Sequence, residues 1–165
     1  MNRIPAQLLS CSLLLFGLLV SGCGGGGKAT IKPRPWAVSI VKNTPASIEV
    51  DLVGVTELEK QAWEGYSITR YWTPGDQRRA NADKLSMDLV TGKPWIIEAT
   101  DPKWNQWLGR GVTSLLLIAR LPGRFEAGSA DPRRLFISLD KNKWKEKTIK
   151  FEIFDTEIRQ LTPSK

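Results

Sequence analysis

The sequence contains no histidine, and its cysteines, Cys11 and Cys23, both lie near the N-terminus, so residues 24 to 165 carry no thiol. That long stretch offers no disulfide, no thiolate nucleophile and no cysteine metal site. With histidine missing as well, the commonest transition-metal ligands, the Ser-His-Asp and Cys-His arrangements, and the usual proton carrier near neutral pH are all excluded. An enzyme built on this chain would have to rely on carboxylates, lysine, serine or tyrosine. A membrane-spanning run is also lacking. The most apolar stretch, Leu8 to Val20, is shorter than the roughly 18 to 20 residues that cross a bilayer as a helix. There is no internal repeat, and no low-complexity tract apart from Gly24 to Gly27.

What is present begins with a targeting layout: Arg3 as the only early charge, the apolar stretch, then small residues. Val20-Ser21-Gly22-Cys23 resembles the lipobox of bacterial lipoproteins. The resemblance implies that residues 1–22 are a cleaved signal peptide and that Cys23 receives a diacylglyceryl group on its thiol and a further acyl chain on its amine. Several acyl chains make a stable anchor. Gly24 stands where an aspartate commonly retains such proteins at the inner membrane, so the resemblance implies the periplasmic face of the outer membrane in a diderm host. Residues 23–35 then read as the lipidated cysteine and a Gly/Pro tether, flexible at first and stiffer near Pro33 and Pro35. Residues 36–165 are enough for one domain but hardly for two.

The net charge is +7 and the pI about 9.6. Such a balance suits nucleic acid, anionic headgroups or an acidic protein, and an exported lipoprotein meets little nucleic acid. The basic residues are interleaved with acids along the chain. They read as a solvated surface, with a patch facing headgroups or a partner as the alternative.

Period-two alternation predominates. Trp36, Val38 and Ile40 share one side of a first extended segment. Ile48, Val50 and Leu52 share one side of a second, with Glu49 and Asp51 on an expected wet face. Thr56-Glu57-Leu58-Glu59 forms a capping-box pattern that opens a helical stretch through about Glu64, and Gly65 ends it. Further strands are expected at Ser67 to Trp72, Lys84 to Val90, Trp95 to Ala99, Thr113 to Leu121, Arg134 to Leu139, Thr148 to Phe154 and Glu157 to Leu161, with a helical turn from Asp101 to Trp107. Ser114 to Ala119 is apolar on both faces, as a central covered strand would be. Ile149, Phe151 and Ile153 alternate with polar neighbours in the manner of an antiparallel strand with one wet face. Many short strands separated by turns indicate a mainly β, antiparallel β-sandwich with a short helical insertion.

From Ser47 onward the order of features resembles TssJ, the outer-membrane lipoprotein family of type VI secretion systems. The family's short valine- and leucine-rich strand is matched by Ile48-Glu49-Val50-Asp51-Leu52-Val53. Its helical stretch with an Ala-aromatic pair is matched by Thr56 to Glu64 with Ala62-Trp63, and a loop follows from Trp72 to Asp83. Asp101-Pro102 then precedes the apolar strand, and Arg133-Arg134-Leu135-Phe136-Ile137 stands where the family has a strand opening with Trp-Arg, so Arg133 replaces the tryptophan. The resemblance implies a transthyretin-like sandwich and a non-enzymatic scaffold. It implies that the protein hangs from the outer membrane and binds the periplasmic domain of a large inner-membrane secretion protein through a loop after the first strand. Carried onto this sequence, that loop falls within Tyr71 to Asp83, with Trp72, Pro74, Gly75, Asp76, Arg78 and Arg79 as partner-binding candidates. An exposed aromatic beside arginines also matches interface hot spots, although the same stretch could be an ordinary turn with Trp72 packed inward.

A rival reading rests on Trp104 and Trp107, which would share a helical face. Exposed side by side they could stack on cell-wall glycan; buried, they would close one end of the sandwich. Trp36, Trp63 and Trp144 read as core or rim. Catalysis would need paired carboxylates or a Ser-Lys pair, and Glu49 with Asp51 reads more simply as a solvated face. No catalytic residue, metal, cofactor or small-molecule substrate is expected. Replacing Cys23 by Ala should strand the precursor or release the domain from membranes; co-fractionation of the mutant with the outer membrane would refute the lipid anchor.

Overall fold

Burial along the first two strands sets the architecture. In β1 (Ala37–Lys42) every second residue is buried, whereas β2 (Ile48–Thr56) is buried along nearly its whole length. A strand of the first kind faces one core and a strand of the second kind lies between two. The structure, a computed structural model, describes residues 31–125 and 130–165. The expected signal segment, Cys23 and the expected tether as far as residue 30 lie outside the described residues.

The remaining strands are β3 (Lys84–Leu89), β4 (Trp95–Ile97), β5 (Val112–Ala119), β6 (Arg134–Ser138), β7 (Thr148–Ile153) and β8 (Ile158–Gln160). They form two four-stranded sheets, ordered β4-β1-β7-β8 and β3-β2-β5-β6. The main core between them contains Trp36, Val38, Ile40, Ile48, Leu52, Leu115, Leu117 and Phe151. The expected β-sandwich is therefore present, and β5 is the covered central strand. One pairing departs from the antiparallel expectation: β1 and β7 run parallel, from Ala37 opposite Thr148 to Lys42 opposite Ile153. Parallel neighbours require a crossover, and here the chain builds the other sheet before β7 returns beside β1. Alternating burial in β7 gave no sign of this, because it reports the face and not the direction.

Between β2 and β3 lie three short helices, α1 (Glu57–Glu64), α2 (Ile68–Tyr71) and α3 (Gln77–Asn81). The capping box forms as expected. Thr56 Oγ1 accepts from the Glu59 amide at 3.3 Å, and Glu59 Oε2 accepts from the Thr56 amide at 2.9 Å. Ser67 to Trp72, expected as a strand, is helical instead: Ser67 Oγ accepts from the Arg70 amide, and the Tyr71 and Trp72 amides bond back to Ser67 and Ile68. Ile68 and Tyr71 are buried while Thr69 and Arg70 stay exposed, so the apolar period is three, which a short window does not separate from two. These helices lie over the outer face of the second sheet and close a second core of Val53, Val55, Trp63, Ile68, Tyr71, Trp72, Leu116 and Ile118. The face carrying Glu49 and Asp51 is thus covered rather than wet, and Asp51 is fully buried.

A fourth helix, α4 (Lys103–Gly109), precedes β5. Backbone pairing of the domain starts before residue 36. The Lys32 carbonyl accepts from Lys141, Pro33 bridges Asp140, and the Arg34 amide donates to the Leu139 carbonyl. The last residues of the expected tether are therefore fixed to the end of the sandwich where β6 finishes and β1, β5 and β7 begin. The opposite end carries the turns at 43–47, 90–94 and 154–157.

Gly54 in β2 is set by a close approach. A Cβ there would overlap the Trp107 indole, whose Nε1 shares the Asp83 carbonyl with the Gly54 amide at 3.2 and 3.0 Å. Gly54→Ala should cost about 1–3 kcal/mol through overpacking; a melting temperature equal to wild type would show that the indole yields freely.

Candidate docking surfaces

The insertion is held to the sheet by buried charge. Asp51 Oδ2 accepts from the Tyr71 hydroxyl at 2.8 Å and from Arg79 Nε at 2.9 Å, while Oδ1 accepts from Ser86 Oγ at 2.5 Å. Arg79 also pairs with Glu49, which lies 3.6 Å from Arg120. Burial, reinforced by the neighbouring Asp51 carboxylate, pushes the Tyr71 phenol well above its usual range. For Arg79, burial acts to lower the pKa, but the bonds to Asp51 and Glu49 outweigh it and leave the guanidinium raised. Asp76 caps α3 through the Arg79 amide at 2.8 Å and accepts from the Tyr66 hydroxyl at 2.5 Å. Burial alone would raise its carboxyl, yet these bonds and Arg70 hold it below the ordinary 3.8.

The residues singled out from the sequence at 71–83 thus come together, but chiefly to bind one another. Trp72 is only 9% exposed, with the Arg79 guanidinium 4.2 Å from its ring centre. The exposed aromatic expected here is packed inward because the insertion needs it to close the second core. Arg78 lies over Trp63 and Tyr66 and donates to the Ala62 carbonyl at 2.8 Å. Thr73, Pro74 and Gly75 remain exposed. Charge reversal at Arg78 and Arg79 would therefore test stability before it tested binding. The placement after the first strand also changes: Ile48–Thr56 is the second strand of the sandwich, and the loop following the first is Asn43 to Ser47.

That loop is ordered at its base. The Asn43 amide donates to the Ile153 carbonyl at 2.8 Å, Thr44 Oγ1 donates to Asp155, and the Ala46 amide donates to Thr44 Oγ1. Asn43, Pro45 and Ser47 stay exposed on this frame. Sequence reasoning passed over the loop because it has neither aromatic nor charge; Pro45 between two extended segments was the available signal.

Trp104 and Trp107 pack edge to face with ring centres 5.3 Å apart, and both are buried, with Nε1 bonded to the Glu98 and Asp83 carbonyls. A sugar ring cannot reach their faces, so the glycan platform is set aside and the pair closes one end of the core. Trp36, Trp63 and Trp144 are core, as expected. Arg133, standing where the resemblance led to an expected tryptophan, is itself buried. Its guanidinium bonds Asp131 at 2.6 and 2.9 Å and Thr69 Oγ1 at 3.2 Å. Glu49 and Asp51, the nearest approach to a carboxylate pair, are both engaged by Arg79. Among the described residues no group of His, Cys, Asp and Glu could hold a metal, and no helix is long and apolar enough to cross a membrane.

The exposed apolar surface not legible beforehand lies where β3 and β4, consecutive in the chain, diverge into different sheets. Met87, Leu89, Val90, Pro94, Trp95 and Ile96 line a groove of about 220 Å³ there, between two strands that are both sheet edges.

No family model matches the sequence, and no curated protein does. Among solved structures, the chain is similar to one described as "Type VI membrane complex", at 12% identity and TM-score 0.53, over 79% of this chain and 99% of that one. It is also similar to a chain in a structure of the C-terminal domain of the T6SS protein TssM from EAEC, at 10% identity and TM-score 0.53, over 76% of this chain and 99% of that one. At these identities the likeness is one of fold.

Removing the charge that faces Asp51 should be costly, because a buried carboxylate then lacks its counter-ion. Arg79→Gln should lose about 3 kcal/mol in urea unfolding and Arg78→Gln under about 1; equal losses would contradict the assignment of Arg79 as the clamp.

Proposed function

We propose that this protein is a lipid-anchored scaffold of a type VI-like secretion membrane complex, held at the periplasmic face of the outer membrane and docking the periplasmic domain of an inner-membrane protein. The observation that carries the reading is the fold: a sandwich with a helical insertion that aligns with nearly the whole of a chain from a type VI membrane complex. It is supported by the Cys23 motif at the N-terminus and by the absence of histidine and of a thiol beyond residue 23.

The mechanism is tethering. An anchor at Cys23 would keep the domain within reach of one membrane and raise the effective concentration of its partner surface there, so a modest contact could nucleate an assembly. The partner surface belongs at the end remote from the tether, where the first inter-strand loop presents Asn43, Pro45 and Ser47, all exposed, on a backbone bonded to β7. A preorganised loop loses little conformational freedom on docking. Pro74 and Gly75 at the tip of the insertion offer a secondary contact, with Asp76, Arg78 and Arg79 holding that tip in place.

Tagged protein recovered from detergent-solubilised envelopes should bring down a large inner-membrane protein with a periplasmic domain, and Pro45→Arg with Ser47→Arg should lose it while keeping the wild-type melting temperature. Recovery by both forms would move the interface elsewhere; recovery of no inner-membrane protein by the wild type would overturn the scaffold reading.

A further inference from the structure

Most of the buried or half-buried cations have defined partners: Arg79 with Asp51 and Glu49, Lys103 with Asp83, Arg133 with Asp131. A different set lies at the end where the chain enters the domain. Lys141, Lys143, Lys145 and Lys147 are all exposed, and among the described residues none is in an ion pair. Trp144 fixes this loop. It is buried and its Nε1 donates to the Ser138 carbonyl at 2.7 Å, which leaves the flanking lysines directed to solvent. The loop is further held by the Lys143 amide on the Asp140 carbonyl at 3.0 Å. Lys165 joins the group because its amide donates to the Lys143 carbonyl at 2.8 Å, and Lys32 because its carbonyl accepts from Lys141. Arg34 lies over the Trp36 ring at 3.6 Å. The carboxylates in the loop are Asp140, which accepts from the Asn142 amide, and Glu146, which pairs with Lys150.

The fold therefore gathers, on the β6–β7 loop and the chain segments bonded to it, lysines that among the described residues make no ion pair. They lie beside the point where residues 32–34 enter the domain, apart from the acids of α1 and of the β4–α4 connection at the same end. We infer that this end is an electrostatic contact surface for the anionic phosphate headgroups of a lipid bilayer. The inference rests on the membrane-anchor part of the proposed function. The chain between Cys23 and Lys32 can reach at most about 30 Å, so an anchored domain is never many screening lengths from the bilayer, the screening length being about 10 Å at 0.1 M salt. Juxtamembrane cations within that layer are attracted to anionic lipid. The surface orients the domain as well as holding it. With the lysine end down, the 43–47 loop at the far end faces away from the membrane, towards an incoming partner.

The test uses the full chain carrying Cys23→Ala, so that no acyl chain contributes, and sedimentation with vesicles of phosphatidylglycerol and phosphatidylethanolamine. Binding should fall steeply between 0.1 and 0.5 M salt and be absent with phosphatidylcholine alone. Lys141→Glu with Lys145→Glu should weaken it by about tenfold or more, and Lys141→Gln with Lys145→Gln by less. Lys93→Glu with Arg124→Glu, the same charge change at the far end, should leave it within about twofold. Equal loss in both reversed pairs would reduce the effect to net charge, and undiminished binding to phosphatidylcholine would assign it to the apolar N-terminal stretch; either overturns the inference. Because no partner protein enters the assay, a failed envelope recovery and a failed vesicle result are distinguishable.

Discussion

Asp51 is the point on which the insertion turns. A carboxylate on a central strand, with no exposed surface, needs every lone pair answered, and the answers come from different parts of the chain: Arg79 on α3, Tyr71 on α2 and Ser86 on β3. Satisfying one buried charge thereby fixes two helices and an edge strand against the sheet. The aromatic packing of Trp63, Tyr71 and Trp72 follows, with successive ring contacts of 5.9 and 5.3 Å and arginines lying over the rings. The same demand explains why Trp72 and Arg79, which look like an interface in the sequence, are internal.

With the flank of the second sheet occupied in this way, the two ends of the sandwich are left to differ. One end takes in residues 32–34, is closed by Trp104 and Trp107, and carries the lysine-bearing loop. The other carries the short, hydrogen-bonded turn at 43–47 and the neighbouring 90–94 turn, joined where Thr91 Oγ1 donates to the Thr44 carbonyl at 3.5 Å. A domain with a lysine-bearing loop at the end where residues 32–34 enter and preformed turns at the other would suit the proposed bridging of a bilayer and a protein. No cleft with convergent chemical groups is required for that.

Much of the fold was legible. Alternation placed seven of the eight strands to within a residue or two, the Thr56–Glu59 capping pattern located α1, and the apolar run at 114–119 identified the central strand. These features are local, written in period and in neighbours three or four residues apart. The stretch at 67–72 was misread because its apolar spacing, at Ile68 and Tyr71, is short enough to satisfy either period, and the choice was made by the sheet it packs against. The parallel pairing of β1 with β7 was invisible for the same kind of reason, since side-chain periodicity carries no information on strand direction.

The candidate sites were less legible than the fold. The tryptophans at 72, 104 and 107 are large apolar groups in stretches that also carry polar residues, a pattern shared by hot spots and by core residues at the rim of an insertion. Only contacts made in the folded chain distinguish the two: Trp107 against Gly54, and Trp72 beneath Arg79. The lysines at 141–147 belong to what the sequence presents as a solvated basic surface, and their gathering with Lys32 and Lys165 is created by hydrogen bonds between segments far apart in the chain. The sequence by itself determined which residues alternate, which helix is capped, and that no thiol beyond residue 23 and no imidazole exists for chemistry, because these are properties of composition and short spacing. Which face of the second strand is covered, which end of the sandwich is cationic, and which aromatics are out of reach were decided only when distant segments packed, because burial and electrostatic context are sums over neighbours that the linear order does not supply.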